Sequence, residues 1–348
     1  MTSGVHRMQR VIVSADGAAV QDATPPAPAP GEALVRMVAV GVCGSDLHAS
    51  HGRHPFVPLP YAPGHEVLGV VEQLGGATTG VSVGQRVVVE PTLVCWQCKQ
   101  CTAGQVNLCE NLRFFGCGHD QGGMADLFTI AANRLHGVPD DLTDRQAILI
   151  EPLATPVHAA RLAAPLEGKA VAILGAGTIG LLLLAAVLHH GARRVVVTDV
   201  LAAKRERALA LGADAVVDAA QPDAVAQVRR QLGESADVVF DCVAIQPTVR
   251  QAVDMALKGG TVVIVGVPAE PVSVPLPEIQ DQQVRIQGSA TYVAEDYAVA
   301  IELLRAGKVV PDSIITGEYP LARVADAFAA SDSGKHIKVI VTADALSK

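Results

Sequence analysis

Apolar residues in the first part of the chain recur in short runs. From about residue 11 to residue 154 these runs are separated by Gly and Pro, and long helical patterns are scarce. Runs of this kind predict β-strands joined by tight turns. The clearest predicted strands are 33–41, 66–74 and 85–90. The pattern therefore predicts a β-rich first domain.

The pattern changes from about residue 156, where apolar strand-like runs alternate with helical ones. Helices are predicted through His190 and over 204–211. The predicted strands around them are 170–174, 194–199, 237–241 and 261–266. This alternation predicts a doubly wound parallel sheet, so the expected fold class is α/β.

The segment after about residue 290 contains both helix-like and strand-like patterns. Amphipathic helices are predicted at 296–305 and 324–330, followed by a strand at 337–341. The pattern alone assigns this segment to neither region. A chain of 348 residues is about twice the usual length of a domain, so two separate cores are expected.

Charge excludes some partners. The net charge of −8 gives no cationic surplus for a phosphate backbone or an acidic membrane, so nucleic acid and membrane partners are not expected. The first 20 residues lack the continuous apolar core of a secretory signal. The longest apolar stretch, 179–188, is too short to cross a bilayer. We expect a cytoplasmic protein with a small-molecule substrate.

A glycine-rich motif follows the predicted strand 170–174. Gly175, Gly177 and Gly180 form Gly-x-Gly-x-x-Gly, and an apolar helix follows directly. Gly175 permits the tight turn, Gly177 the approach of a pyrophosphate, and Gly180 the packing of helix on strand. Amides at the helix start, around Thr178, would receive the phosphates. The motif predicts a dinucleotide site.

An aspartate ends the next predicted strand. Asp199 lies 24 positions after Gly175, where a carboxylate binds the adenosine ribose hydroxyls of NAD. The same charge would repel the 2′-phosphate of NADP. NADP remains the alternative because Lys204 and Arg205 are close enough in sequence to be recruited.

Four of the seven cysteines lie within one short segment. Cys95, Cys98, Cys101 and Cys109 can wrap a tetrahedral zinc ion and leave no position for a substrate, so this site is predicted to be structural. A disulfide framework is not expected in a reducing cytosol. A redox dithiol or an iron–sulfur cluster is the alternative, but the flanking sequences typical of those families are absent.

Three other segments carry ligand-type residues beside Gly or Pro. Cys43 and His65 supply a thiolate and an imidazole, and one carboxylate would complete three zinc ligands with a fourth position open for catalysis. Glu66 and Glu151 compete for that place. We expect one to bind and the other to act through water, and the residues alone do not decide which. Asp46 is the candidate to orient His65.

Together these motifs resemble the zinc-dependent medium-chain alcohol and polyol dehydrogenases over essentially the whole chain. The resemblance rests on 41–48, 64–66, 95–109 and 175–180 with Asp199. It implies a GroES-like catalytic domain at 1–155 and 291–348, interrupted by a Rossmann domain at 156–290. It also implies a homodimer or homotetramer. Glu151-Pro152-Leu153 resembles the sorbitol, threonine and butanediol dehydrogenase branch, whereas simple primary alcohol enzymes carry cysteine at this position.

The resemblance also implies roles for single residues. Ser45 would take the proton of the bound alcohol and pass it through the nicotinamide ribose to His48, and a hydroxyl with an imidazole suits such a relay. Lys338 would hold the pyrophosphate. The residues that would pack against the nicotinamide are Thr155, Ile179, Gly266 and Val267. The residues that would line the substrate pocket are Phe56, Phe114, Phe115, Thr291 and Tyr292.

The sequence thus predicts reversible oxidation of a secondary alcohol, vicinal diol or polyol to a ketone, with NAD and two zinc ions per chain. Polyol dehydrogenases have an arginine where this chain has Thr291, which leaves the substrate open; His51 or Arg53 could supply polar contacts instead. The rival classes are a zinc-free quinone or enoyl reductase and a non-catalytic, nucleotide-sensing zinc protein.

Overall fold

The computed structural model describes residues 7–343 and Leu346. The chain forms two compact units: the residues up to Glu151 with those from Val310 onward, and Pro152–Val309. The second unit therefore extends beyond the expected 156–290 and includes residues 291–309. Asp296 explains part of this extension, because its carboxylate lies 2.9 Å from Nδ1 of His158 in the same unit.

The first unit is built mainly from strands. They are β1 (Met8–Ser14), β2 (Gly17–Ala23), β3 (Glu32–Val42), β4 (Glu66–Leu74), β5 (Arg86–Val89), β6 (Thr92–Leu93), β7 (Arg113–Phe114), β8 (Leu127–Ala131), β9 (Leu135–Gly137), β16 (Ile315–Pro320) and β17 (Lys338–Thr342). Its helices are α1 (Gly44–Ser50), α2 (Lys99–Thr102), α3 (Asp144–Ala147), α11 (Pro311–Ile314) and α12 (Val324–Asp332).

One sheet of seven strands organises this unit. Its order is β16-β17-β3-β4-β5-β9, and β8 also pairs with β3. Alternate residues of β3, among them Val35 and Met37, point into a core shared with β1, β4, β5, β8 and α12. The end of β3 and the start of β4 therefore lie side by side in the middle of the sheet, with β17 on the other side of β3.

The second unit alternates strands and helices. Its strands are β10 (Ala170–Leu174), β11 (Arg194–Asp199), β12 (Ala215–Asp218), β13 (Ala236–Asp241), β14 (Ala256–Ile264) and β15 (Arg285–Gly288). Its helices are α4 (Ile150–Ala163), which starts at the boundary, α5 (Thr178–His189), α6 (Ala202–Ala210), α7 (Ala224–Leu232), α8 (Gln246–Met255), α9 (Leu276–Asp281) and α10 (Ala294–Arg305).

All strand pairs of the second unit are parallel, in the order β12-β11-β10-β13-β14-β15. The first strand lies at the centre, and the order reverses between β10 and β13. This is the doubly wound Rossmann arrangement, in which ligands bind at the carboxyl ends of the strands near the reversal. The α/β fold class is confirmed.

Three features differ from the sequence prediction. The strands β12 and β15 were not predicted; β12 is only four residues long, and all four residues of β15 are exposed, so neither leaves a long apolar run. No helix was predicted around Glu151, which lies in the first turn of α4. Pro152 does not break this helix because the first helical turn needs no amide donor there. None of the helices in the described part of the chain combines the length and the apolar character that a membrane-spanning helix needs.

Candidate active site

Cys43, His65 and Glu66 converge at the centre of the first unit's sheet. One ligand atom from each lies within 4.8 Å of the others. Cys43 follows β3 and precedes α1, and His65 and Glu66 stand where β4 begins. Gly64 has a φ of +105°, a conformation that L residues rarely adopt, and the side chains of the two residues after this turn reach one site.

The chemistry of this cluster fits a zinc ion. A thiol, an imidazole and a carboxylate are the donors that zinc prefers, and three protein ligands leave one position open. His65 and Glu66 are buried. Burial would lower the pKa of the His65 imidazole, but Asp46 and the Cys43 thiol raise it well above its ordinary value. Acidic groups and a thiol therefore surround the His65 imidazole, which is an environment that also suits a divalent cation.

Asp46 lies beside His65 without hydrogen-bonding to it. Its Oδ1 is 4.0 Å from His65 Nδ1, which has no hydrogen-bond partner among the described residues. Asp46 instead accepts from the Cys43 amide at 3.0 Å and from the Tyr61 hydroxyl at 3.3 Å. Burial raises the pKa of the Asp46 carboxyl. The structure therefore assigns Asp46 to holding the Cys43 turn, and Tyr61 is a partner that the sequence did not reveal.

Glu66 is paired with Lys338, which was expected at the pyrophosphate. Lys338 Nζ lies 2.7 Å from both carboxylate oxygens of Glu66 and 3.1 Å from the carbonyl oxygen of Val42. An ammonium group has three protons, and these three acceptors occupy all of them. Lys338 is also buried. The expectation of a phosphate contact is thus corrected, because no donor of Lys338 is left for a phosphate.

Gly41 makes room for Glu66 and was not recognised as part of the site. It pairs with Glu66 across β3 and β4, and a Cβ at Gly41 would lie 1.8 Å from Glu66 Oε2. Glu151 is buried nearby, and its charge contributes to the raised pKa of His65 and of Lys338. It does not belong to the group of three ligand atoms within 4.8 Å.

The residues expected in the proton relay and in the substrate pocket differ in how far they are buried. Ser45 is half-buried and His48 is exposed, both on α1. The Phe114 ring meets the His65 ring edge-on, with centroids 5.6 Å apart. Phe56 is 82% exposed. Phe115 is fully buried against Phe128, and its place in the substrate pocket stays a prediction.

The four cysteines form a second ligand group. Cys95, Cys98, Cys101 and Cys109 each place a sulfur within 4.8 Å of the others. Backbone amides, first that of Gln97, lower the pKa of the Cys95 thiol to about 6, which favours the thiolate that zinc binds. All four thiols are free of disulfides. This donor set fits a closed, structural zinc site.

The loop of this group is anchored through the chain's single tryptophan. Trp96 has a φ of +61°, and Arg134 stacks over its ring at 5.0 Å. Arg134 also pairs with buried Glu90 at 2.6 Å. The loop is therefore tied to the domain by a cation–π contact and a buried ion pair as well as by its thiols.

The glycine motif lies between β10 and α5 in the second unit. Gly175 has a φ of +94°, and a Cβ at Gly180 would lie 1.8 Å from the Gly175 carbonyl oxygen. A Cβ at Gly177 would meet nothing within 4 Å, so open space lies beside this turn. Thr178 and Ile179 are half-buried in the first turn of α5. The turn fits a bound pyrophosphate.

Asp199 stands beside this motif at the end of β11. Its carboxylate accepts from the amides of Ala176 at 2.8 Å and Leu201 at 2.9 Å. Lys204 is half-buried on α6, and Arg205 donates to the Asp199 carbonyl oxygen at 2.8 Å. The structure brings the aspartate to the glycine turn, as the sequence spacing predicted.

The other expected cofactor and pocket residues of the second unit are placed as follows. Thr155 is half-buried on α4. Gly266 follows β14, where a Cβ would lie 2.8 Å from the Val243 backbone, and Val267 is exposed. Thr291 is half-buried with a φ of +47°. Tyr292 is 2% exposed and packs on Tyr297, and its place in the substrate pocket stays a prediction.

Comparison with known proteins gives the same assignment as the motifs. The model of the alcohol dehydrogenase GroES-like domain matches residues 29–140, and the model of the zinc-binding dehydrogenase domain matches residues 178–306. Both matches fall on the units that carry the corresponding motifs.

Three proteins illustrate the similarity. L-galactonate-5-dehydrogenase of Escherichia coli strain K12 is 35% identical over 305 residues, 87% of this chain and 88% of the relative. Sorbitol dehydrogenase of Ovis aries is 33% identical over 324 residues, 92% and 91% of the two chains. A solved structure described as a zinc-binding dehydrogenase of Sinorhizobium meliloti 1021, bound to NADP, is 33% identical with a TM-score of 0.89, covering 97% of this chain and 99% of that one. The chain belongs to the zinc-dependent medium-chain alcohol and polyol dehydrogenase family.

Proposed function

We propose that this chain reversibly oxidises a secondary alcohol, vicinal diol or polyol to a ketone, with hydride transfer to NAD. The convergence of Cys43, His65 and Glu66 carries the proposal, because a half-buried thiol with a buried imidazole and carboxylate, leaving a fourth position open, suits a catalytic zinc. L-galactonate and sorbitol, the substrates named for two relatives, are both polyhydroxylated. A polyol or a smaller diol is therefore the substrate class to test first.

Cys43, His65 and Glu66 would hold the catalytic zinc, and the four cysteines of the loop would hold a structural one. When bound, a catalytic zinc polarises the alcohol oxygen and lowers the pKa of the hydroxyl. Glu66 is proposed to bind the zinc directly because it belongs to the group of three ligand atoms. Glu151 is proposed to act on the zinc site indirectly, through a water molecule. The thiolate and one carboxylate balance the charge of the ion.

Ser45 and His48 form the proposed proton path. They are three positions apart on α1, which places them on one face of the helix. Ser45 is half-buried beside Cys43, whereas His48 is exposed. The Ser45 hydroxyl would accept the proton of the alcohol and pass it on, and the exposed His48 imidazole would exchange it with solvent.

Asp199 supports NAD as the preferred cofactor. Its carboxylate is oriented by the amides of Ala176 and Leu201 and retains acceptor capacity for the ribose hydroxyls. NADP is the alternative, and one relative is bound to it. Arg205 lies within 3.4 Å of Asp218 and also donates to the Asp199 carbonyl oxygen, so part of its guanidinium is already engaged beside the proposed ribose site. The homodimer or homotetramer and the cytoplasmic location stay predictions.

Metal analysis and a substrate screen test the proposal. The purified full chain is expected to hold two zinc ions and to reduce NAD with polyols, vicinal diols or simple secondary alcohols, with NADP as the matched comparison. Zinc only in the four-cysteine loop, or no turnover of any alcohol, would contradict it. An equal or higher kcat/KM with NADP would overturn the cofactor assignment alone.

A further inference from the structure

The Lys338–Glu66 pair joins a buried lysine to a residue of the candidate zinc site. The side chain of Lys338 is 4% exposed and that of Glu66 is 2% exposed, so the pair is shielded from water. The two residues are 272 positions apart in sequence. The ammonium contacts both carboxylate oxygens at 2.7 Å. Both oxygens of a candidate metal ligand are therefore already engaged by the protein.

The sheet explains how the two side chains meet. Lys338 lies on β17 and Glu66 on β4, with β3 between them, so their strands are about 9.5 Å apart. Ile340, two residues after Lys338, pairs with Gly41, and Gly41 pairs with Glu66. All these positions share one face of the sheet. Because Gly41 has no side chain, Lys338 and Glu66 can reach across β3 and join.

This arrangement limits what Glu66 can offer to a metal. A carboxylate can bind zinc through one oxygen or through two, and the second would occupy the open position that a substrate needs. An ammonium that shares both oxygens reduces the negative charge left for the metal and restrains the carboxylate. Resting on the proposed zinc site, we propose that Lys338 is a positioning residue that keeps Glu66 a weak, single-oxygen ligand and so keeps the fourth position open.

The Lys338→Met variant tests this inference in the full-length protein. Without the ammonium, both oxygens and the full charge of the Glu66 carboxylate become available to the metal. Release of the metal from the Cys43 cluster to a chelator should therefore slow by roughly 10-fold or more, which is the size of effect that residues hydrogen-bonded to metal ligands have on metal affinity. In protein loaded with cobalt(II) instead of zinc, the visible absorption should weaken as the coordination number rises. Lys338→Arg should restore both values towards those of the unaltered protein.

Two further variants keep the test decisive. Lys169→Met removes a lysine that pairs with Asp237 at 3.2 Å in the other unit, and it should change neither measurement. Lys338→Met leaves a buried carboxylate unpaired and could unfold the protein. The double variant with Glu66→Gln removes that charge, so it should fold and release the metal faster than Lys338→Met.

Two results would overturn the inference. One is faster metal release in Lys338→Met than in the unaltered protein, because loss of a purely structural lysine would loosen the site. The other is no change in metal release or in cobalt absorption. Failure of the proposed function is distinguishable from these results. If the unaltered protein binds cobalt at the Cys43 cluster but oxidises no alcohol, the proposed reaction fails and the metal-release test of Lys338 still applies.

Discussion

Gly41→Ala should expel the metal from the Cys43 cluster while the four-cysteine loop keeps its own. The added Cβ would lie 1.8 Å from Glu66 Oε2, 2.9 Å from its Cδ and 3.1 Å from its Cβ. The φ of Gly41 is not positive, so alanine fits the backbone, and the three atoms nearest the added Cβ all belong to the Glu66 side chain. The perturbation therefore acts first on the Glu66 side chain.

The size of the effect follows from these distances. Real Cβ contacts are essentially never shorter than 3.0 Å, so Oε2 must move by at least about 1.2 Å, the difference from 1.8 Å. Metal–ligand distances tolerate only about 0.2 Å of deviation. The same movement breaks the contact with Lys338, and breaking a buried ion pair costs about 3–5 kcal/mol. Both metal binding and folding stability should fall.

The assay is metal content per chain after dialysis, together with thermal unfolding. Gly41→Ala should hold about half the metal of the unaltered protein and unfold at a lower temperature. Gly288→Ala is the matched control, because this strand glycine has a non-positive φ and nothing within 4 Å of the added Cβ. A Gly41→Ala protein with full metal content and unchanged unfolding temperature would refute the assignment of Glu66 as a metal ligand held under Gly41.

Glu66→Ala should lose the catalytic metal, whereas Glu151→Ala should retain it and lose about 10- to 100-fold in kcat, as outer partners of metal sites do; metal analysis of both variants would reveal the reverse assignment. Asp199→Ser should weaken NAD and improve NADP, because one carboxylate accounts for both effects, and an unchanged ratio of the two kcat/KM values would show that Asp199 does not select the cofactor. Cys98→Ser should release one metal, lower stability and shift the fluorescence of Trp96, whose neighbours Cys95 and Cys98 are ligands of the loop. Glu66→Ala should leave that fluorescence unchanged, and a shift there would contradict the independence of the two sites.

Local sequence patterns predicted those parts of the site whose residues are close together in the sequence. The glycine motif and Asp199 lie within one β-α-β segment, and the structure brings the aspartate carboxylate to the amide of Ala176 inside the turn. The four cysteines span 15 residues, so their convergence needs only one loop. Strand β10 was predicted with its observed bounds because a strand buried on both faces leaves a continuous apolar run.

Contacts between distant segments could not be predicted in this way. Nothing near Lys338 in sequence indicates a partner 272 residues away, and the resemblance to a family suggested a phosphate contact. In the structure, the order of the strands places Lys338 beside Glu66 instead. The role of Gly41 depends on the register of β3 against β4. The burial of Phe115 and Tyr292 depends on packing, because an aromatic residue in a turn looks the same whether it faces a pocket or a core.

The sequence by itself thus determined the fold class, the family, the group of four cysteines and the dinucleotide turn, because each of these is encoded by periodicity or by residues close together along the chain. For the second ligand group it indicated Cys43 and His65 and left Glu66 and Glu151 as alternatives. Only the tertiary structure decided what surrounds those ligands. Asp46 holds the turn of Cys43 without hydrogen-bonding to His65, and Lys338 shares the carboxylate of Glu66. The physical reason is that a buried polar group must find partners in three dimensions, and those partners are set by strand order and register, which local sequence patterns leave open.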